Sequence, residues 1–163
     1  MSVTASAKRE FVARPGVVFE LATGLGDAPY VFTGWGPISR IDRIEILGGG
    51  AMTVGTTRRV FFHNRTRLDE DVVAFQPPVE WVGVVRQVPP RFAWLVRGSR
   101  SRWTFEESDG RTIATWRCVL EPASPRLRPL VAAAAYLLFS PMMRRALRNM
   151  ERLVLERGQW TER

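Results

Sequence analysis

Residues 103–120 read WTFEESDGRTIATWRCVL. Asp109-Gly110 is the dipeptide a two-residue hairpin turn asks for, because both central residues of such a turn take positive φ. A strand from Phe92 to Glu107 enters this turn and a strand from Arg111 to Leu120 leaves it. Upstream the pattern repeats. Ile38 to Leu47 is a β-branched run stopped by Gly48-Gly49-Gly50, and Thr53 to His63 is rich in Thr, Val and Phe. Asn64-Arg65 sits where a hairpin turn belongs. Thr66 to Phe75 follows, closed by Pro77-Pro78, and Glu80 to Val88 is closed by Pro89-Pro90. Strands in sequence joined by short turns make an antiparallel meander.

Both ends of the chain complete the pattern. Thr4 to Ala13 is a first strand, broken by Arg14-Pro15-Gly16, and Pro15 begins a short helix through Val17 to Leu21. Residues 24–37 hold four glycines and two prolines, which predicts a turn or two of helix and then a loop. After Ser124-Pro125 the hydrophobic period becomes helical from about Leu127 to Arg157, roughly 46 Å at ~1.5 Å per residue. Leu130, Ala134, Leu137 and Leu138 share one face, and Met143, Leu147, Met150 and Val154 continue it. Arg144, Arg148 and Arg152 lie on another. Pro141 should kink this helix.

The expected fold is therefore α+β, a single domain over residues 1–163. It has a curved seven-stranded antiparallel sheet, two short helices between strands 1 and 2, and a long C-terminal helix at about 127–157. A twisted sheet of this width curls, and one helix cannot fill the curve, so the prediction includes an apolar cavity between them.

Composition narrows the chemistry. The chain has 163 residues with one cysteine, Cys118, and one histidine, His63, which leaves no intrachain disulfide and no ordinary Cys/His zinc site. No calcium-loop or phosphate-loop motif is present, since Gly48-Gly49-Gly50 lacks the Lys-Ser/Thr a phosphate loop needs. No metal and no cofactor are expected. Met1 to Ala13 carries no apolar core of a secretory signal, and the greasiest stretch, Leu130 to Met143, is shorter than the ~20 residues of a spanning helix, so a cytoplasmic location is expected. The net charge of +8 is nearly all arginine, Lys8 being the only lysine. Residues 124–163 hold 8 basic and 3 acidic groups, so +5 of the +8 lies there.

The order of Val54-Gly55-Thr56-Thr57-Arg58-Arg59-Val60, Glu70-Asp71-Val72, Gln76-Pro77-Pro78, Asp109-Gly110-Arg111-Thr112, Trp116, Glu121-Pro122 and Ala146 to Met150 resembles the START/Bet v 1-like (SRPBCC) superfamily, in its bacterial polyketide cyclase/dehydrase-like and lipid-transport-like branch. The resemblance covers residues 3–157. It implies the helix-grip fold, an inward-facing Trp116, and an entrance formed by the first helices and the loop holding Tyr30, Phe32 and Trp35. It does not choose among the family's binders, carriers and cyclases.

Alternation places Arg58, Val60 and Phe62 on one face of their strand, and Glu70 and Val72 on one face of the next. An arginine and a carboxylate in a greasy interior must pair, because either alone bears a heavy desolvation cost. They would either orient a ligand's carbonyl or hydroxyl or fix strand register. Trp81, Trp94, Trp103 and Trp116 would either line a pocket or fill the core. The candidate ligand-binding set is Arg58, Val60, Phe62, Glu70, Val72, Trp81, Trp116, Leu137 and Leu138. His63 lies at the expected hairpin end with no partner visible in the sequence, and Cys118 reads as a small buried apolar group.

Three functions remain open. One is a non-enzymatic binder or carrier of a hydrophobic small molecule: a lipid, isoprenoid or polyketide-like aromatic. The second is a polyketide aromatase/cyclase or dehydratase using Glu70, Arg58 and Tyr30. The third is a surface module whose Arg144, Arg148 and Arg152 contact anionic membrane. Nucleic acid is not an expected partner, since no reader motif appears. A monomer and a homodimer are equally compatible with the sequence.

Overall fold

Strands of nine, thirteen and twelve residues with alternating burial dominate the architecture. The computed structural model describes residues 1–161. Seven strands run antiparallel: β1 Val3–Phe11, β2 Ile41–Ile46, β3 Thr57–Phe62, β4 Arg67–Gln76, β5 Glu80–Val85, β6 Val96–Ser108 and β7 Arg111–Pro122. Their order across the sheet is β1-β7-β6-β5-β4-β3-β2, so every neighbour from β2 to β7 is also a neighbour in sequence, and β1 closes on β7. This is the meander the turns predict. Asp109 and Gly110 both take positive φ, 52° and 75°.

Two short helices, α1 Pro15–Thr23 and α2 Ala28–Val31, separate β1 from β2. Pro15 stands in the first turn of α1, where its missing N–H costs nothing. The same logic corrects one strand boundary. Phe92 to Leu95 are not strand: Pro90 opens a helical turn, α3 Pro90–Ala93, and β6 begins only at Val96.

The C-terminal helix starts with a 3₁₀ turn at Pro125–Leu127, runs as α4 Arg128–Ala134, widens into a π turn at Ala135–Phe139, and continues as α5 Ser140–Thr161. Pro141 explains the π turn. It has no N–H to give the Leu137 carbonyl, and its ring crowds that oxygen. The chain answers by widening just before it, so that the Ser140 N–H bonds to the Ala135 carbonyl five residues back. One residue is thereby inserted into the helical count. The buried residues of this stretch are Ala135 and Val131, eight and twelve before Met143. The expected stripe of Leu130 and Leu137 is thus wrong: both are exposed, at 47% and 60%. The continuous helix, Pro125–Gly158, is also longer than the apolar stretch read from sequence, and by length and composition it would suffice to cross a membrane. Its inner residues nevertheless belong to the domain core.

That core joins Phe11, Val18, Leu21, Trp103, Leu120, Met143, Leu147 and Met150. Each fully buried aliphatic side chain contributes about 1.5–3 kcal/mol. α5 packs on β1, α1 and α2, and α4 on β1 and β7. The inner faces of β3, β4 and β5 lie beyond this cover.

Candidate functional site

Parity along three strands builds the site. β3 and β4 are joined by a four-residue loop, His63 to Thr66, with Phe62 N–H bonded to the Thr66 carbonyl and Arg65 at φ 69°. This loop sets the register so that Arg58 faces Glu70 and Val60 faces Leu68. All four point to the concave side. Arg58 Nε lies 3.1 Å from Glu70 Oε1, with side chains 5% and 11% exposed. The guanidinium carbon sits 4.8 Å over the Trp81 ring, and Nη1 donates to Met52 Sδ at 3.8 Å. The other ion pairs are far more exposed.

Glu70 fits because of Gly83 on the next strand. A Cβ at Gly83 would lie 2.5 Å from Glu70 Cδ and Oε2. The glycine is the recess into which the carboxylate folds. Two donors at this end have no hydrogen-bond acceptor: Arg58 Nε, near its carboxylate but not bonded to it, and Trp81 Nε1.

Beside this pair lies a cavity of about 290 Å³. Its walls are mainly aromatic and aliphatic. Trp103 and Trp116 stack at 4.6 Å and 17°, and Phe32 meets Trp116 edge-on at 5.7 Å. Trp116 Nε1 donates to Ser101 Oγ at 3.3 Å. Ser99 and Ser101 occupy inward positions on β6, and their small size leaves room in front of the indoles. The lining residues most exposed to solvent are Pro37, Asn64 and Phe92. The opening therefore lies among the loop after α2, the β3–β4 turn and the segment around α3, with Leu138 on its helix side.

Of the nine candidate residues, Arg58, Val60, Phe62, Glu70, Trp81, Trp116 and Leu138 line the cavity. Val72 is buried but does not reach the cavity wall. Leu137 faces solvent, because it stands two residues, about half a helical turn, past the buried Ala135. Trp94 is 60% exposed, and Tyr30 is 67% exposed and contributes nothing to the wall. His63 is exposed beside Asp42 and Arg40. Cys118 is buried, and burial pushes its thiol up to about 11. Sequence reasoning missed Ser99, Ser101, Gly83 and Asn149. The last is a buried polar residue on α5 whose Nδ2 donates to the Val31 carbonyl and Thr33 Oγ1, both at 2.9 Å, fastening the entrance loop to the helix.

The architecture has known counterparts. The family model described as polyketide cyclase / dehydrase and lipid transport matches residues 2–155. The chain belongs to that family. Its fold is that of the Bet v 1/START superfamily. Norcoclaurine synthase from Thalictrum flavum, as a point mutant in complex with a transition-state analogue, superposes with a TM-score of 0.68 at 13% identity, over 97% of each chain. The di-domain ARO/CYC StfQ of the steffimycin biosynthetic pathway gives 0.72 at 13% identity, over 98% of this chain and 53% of that one. A START superfamily protein from Mycobacterium smegmatis gives 0.68 at 12%, over 94% and 97%. No curated protein matches the chain.

Proposed function

We infer that this family member binds a hydrophobic small molecule in the cavity and holds it by one oxygen. The carrying observation is the buried Arg58–Glu70 pair at one end of an otherwise greasy chamber, with the buried Trp81 Nε1 lacking an acceptor beside it. Burial of apolar surface supplies affinity at about 25 cal/mol per Å². A carbonyl or hydroxyl oxygen meeting the guanidinium or the indole N–H supplies orientation, since an unmet buried donor costs about 1–3 kcal/mol. A chamber of about 290 Å³ walled by aromatic and aliphatic side chains suits a compact aromatic, polyketide-like or isoprenoid molecule.

The test is titration with a polarity-sensitive dye, followed by competition with compact aromatic ketones and isoprenoids. Ser99 lines the chamber without a side-chain hydrogen bond, so Ser99→Leu fills space at little cost to folding. It should weaken dye binding at least tenfold. Saturable binding that survives Ser99→Leu unchanged would remove the cavity from the account.

A second reading, cyclisation or dehydration of a poly-β-ketone, draws on the same carboxylate. Of the groups available for acid–base chemistry, Tyr30 is outside the cavity, and arginine does not release its proton. Glu70 alone remains, so Glu70→Gln must abolish turnover of a poly-β-ketone if this reading holds.

A further inference from the structure

The outer face of the C-terminal helix between Pro129 and Met143 carries no charged residue at all. A helix on a domain surface normally turns polar side chains outward. Here Leu130, Tyr136 and Leu137 face out instead, Tyr136 at 76% exposure. Only 28% of the most apolar window of the Pro125–Gly158 helix is buried. Trp35, Phe92 and Trp94 are exposed on the two segments next to it. These segments border the helix directly. Gly36 faces Leu138, with a Cβ there falling 3.7 Å from Leu138 Cδ2. The Ala123 N–H bonds to the Leu95 carbonyl, and Arg97 Nη2 donates to the Ala123 carbonyl. Phe92 and Leu138 also line the cavity, so this apolar surface is the rim of its mouth.

Along the helix and α3 sides of the rim, charge has one sign. No Asp or Glu occurs between Glu80 and Glu106, or between Glu121 and Glu151. Arg91, Arg97, Arg126 and Arg128 are exposed, and none joins an ion pair among the described residues. Greasy and aromatic side chains flanked by unpaired arginines are what a helix lying in a lipid headgroup layer presents.

We propose that the mouth rim, centred on the outer face from Leu130 to Leu137, docks on an anionic lipid bilayer. The helix lies along the surface and does not cross, because Val131, Ala135 and Met143 on its other side are core. A second copy of the chain is the poorer occupant. A two-fold contact would set these arginines against their own copies, with no carboxylate in either rim stretch to pair them. Docking would place the cavity mouth against the bilayer, so an apolar guest could enter without crossing water. The docking itself does not depend on what the cavity binds.

The test is co-sedimentation of the full chain with vesicles of phosphatidylcholine alone and of phosphatidylcholine with phosphatidylglycerol at 7:3. Binding is expected only to the mixed vesicles, falling as salt rises. A net charge of +8 alone would give some attraction, so the deciding variant keeps charge constant. Tyr136→Ser/Leu137→Ser should lower partitioning at least tenfold with the unfolding midpoint unchanged, both residues being exposed. Arg126→Gln/Arg128→Gln should lower it severalfold and flatten the salt dependence. The proposal is overturned by absent sedimentation at low salt, or by equal sedimentation of the Tyr136/Leu137 variant and the parent. It is overturned too by a concentration-dependent dimer that the same variant dissolves, which would assign the face to a second copy, or by vesicle-independent capture of an acidic protein.

Discussion

Beneath one sheet and one helix lie two unlike halves. On the β1 side, α1 and α5 press Leu21, Leu147 and Met150 against the strands, and these three side chains are fully buried. On the β3–β5 side no helix covers the inner face, and an ion pair, two serines and a glycine stand where large side chains would otherwise meet. The first half is held by burial alone. The second is lined by a desolvated ion pair and small residues, and breaking that pair would leave a buried charge without a partner. The difference teaches that a chamber in this fold needs no special backbone. It needs small residues on β6 and β5 and one desolvated pair to keep them apart.

If the open half stands on its ion pair, removing one member should cost most. Arg58→Met leaves Glu70 buried without its partner and should lower stability by about 3–5 kcal/mol, read from urea unfolding. Arg58→Met/Glu70→Leu should recover most of that loss. A single-variant cost near zero would mean the pair is solvated and the contrast between the halves is false. In the closed half, Leu147→Ala should cost about 2–5 kcal/mol by leaving a void. Its dye affinity should match the parent's under conditions where both are folded. Equal loss of binding would show that the halves do not act separately.

Gly83→Ala tests the seam between glycine and carboxylate. The added methyl displaces the Glu70 head from Arg58, at a cost of about 1–3 kcal/mol. Combined with Glu70→Ala, the same methyl should be nearly free, and that coupling separates a specific clash from a general intolerance of the strand.

The closed half was the more legible of the two in sequence. Alternation from Thr112 to Leu120 and the turn at Asp109-Gly110 are local signals, and local signals survive folding unchanged. Arg58 against Glu70 was readable as well, because parity on either side of a short loop needs only the approximate position of the turn. The outward rotation of Leu137 was not. It depends on which of Val131, Ala135 and Leu137 the core takes, and a stretch apolar on every side, Leu130 to Met143, carries no periodicity that says so. Gly83, Ser99 and Ser101 were invisible for another reason. They matter through the space they leave, which has meaning only once Glu70 and the indoles stand opposite. Asn149 likewise gains its role from Val31 and Thr33, more than a hundred residues away in sequence.

Cys118 straddles the two halves, packed in the core cluster and lining the cavity, so it can report whether the chamber is dry. Burial in apolar surroundings raises its thiol from 9.0 to about 11, with a weaker opposing effect from Ser101. The folded form thus keeps its proton where the unfolded chain has released it. Stability owed to this difference is whole below pH 9, declines as the unfolded thiol ionises, and is lost as pH passes 11, amounting to about 1.4 kcal/mol by pH 10. Comparison with Cys118→Ala across that range isolates the effect from other titrations. In parallel, alkylation by a small thiol reagent should stay slow at neutral pH and rise with a midpoint near 11. A midpoint near 9 would mean that water reaches the sulfur, and a wet chamber would not discriminate for apolar guests as the closed, stacked wall of Trp103 and Trp116 requires.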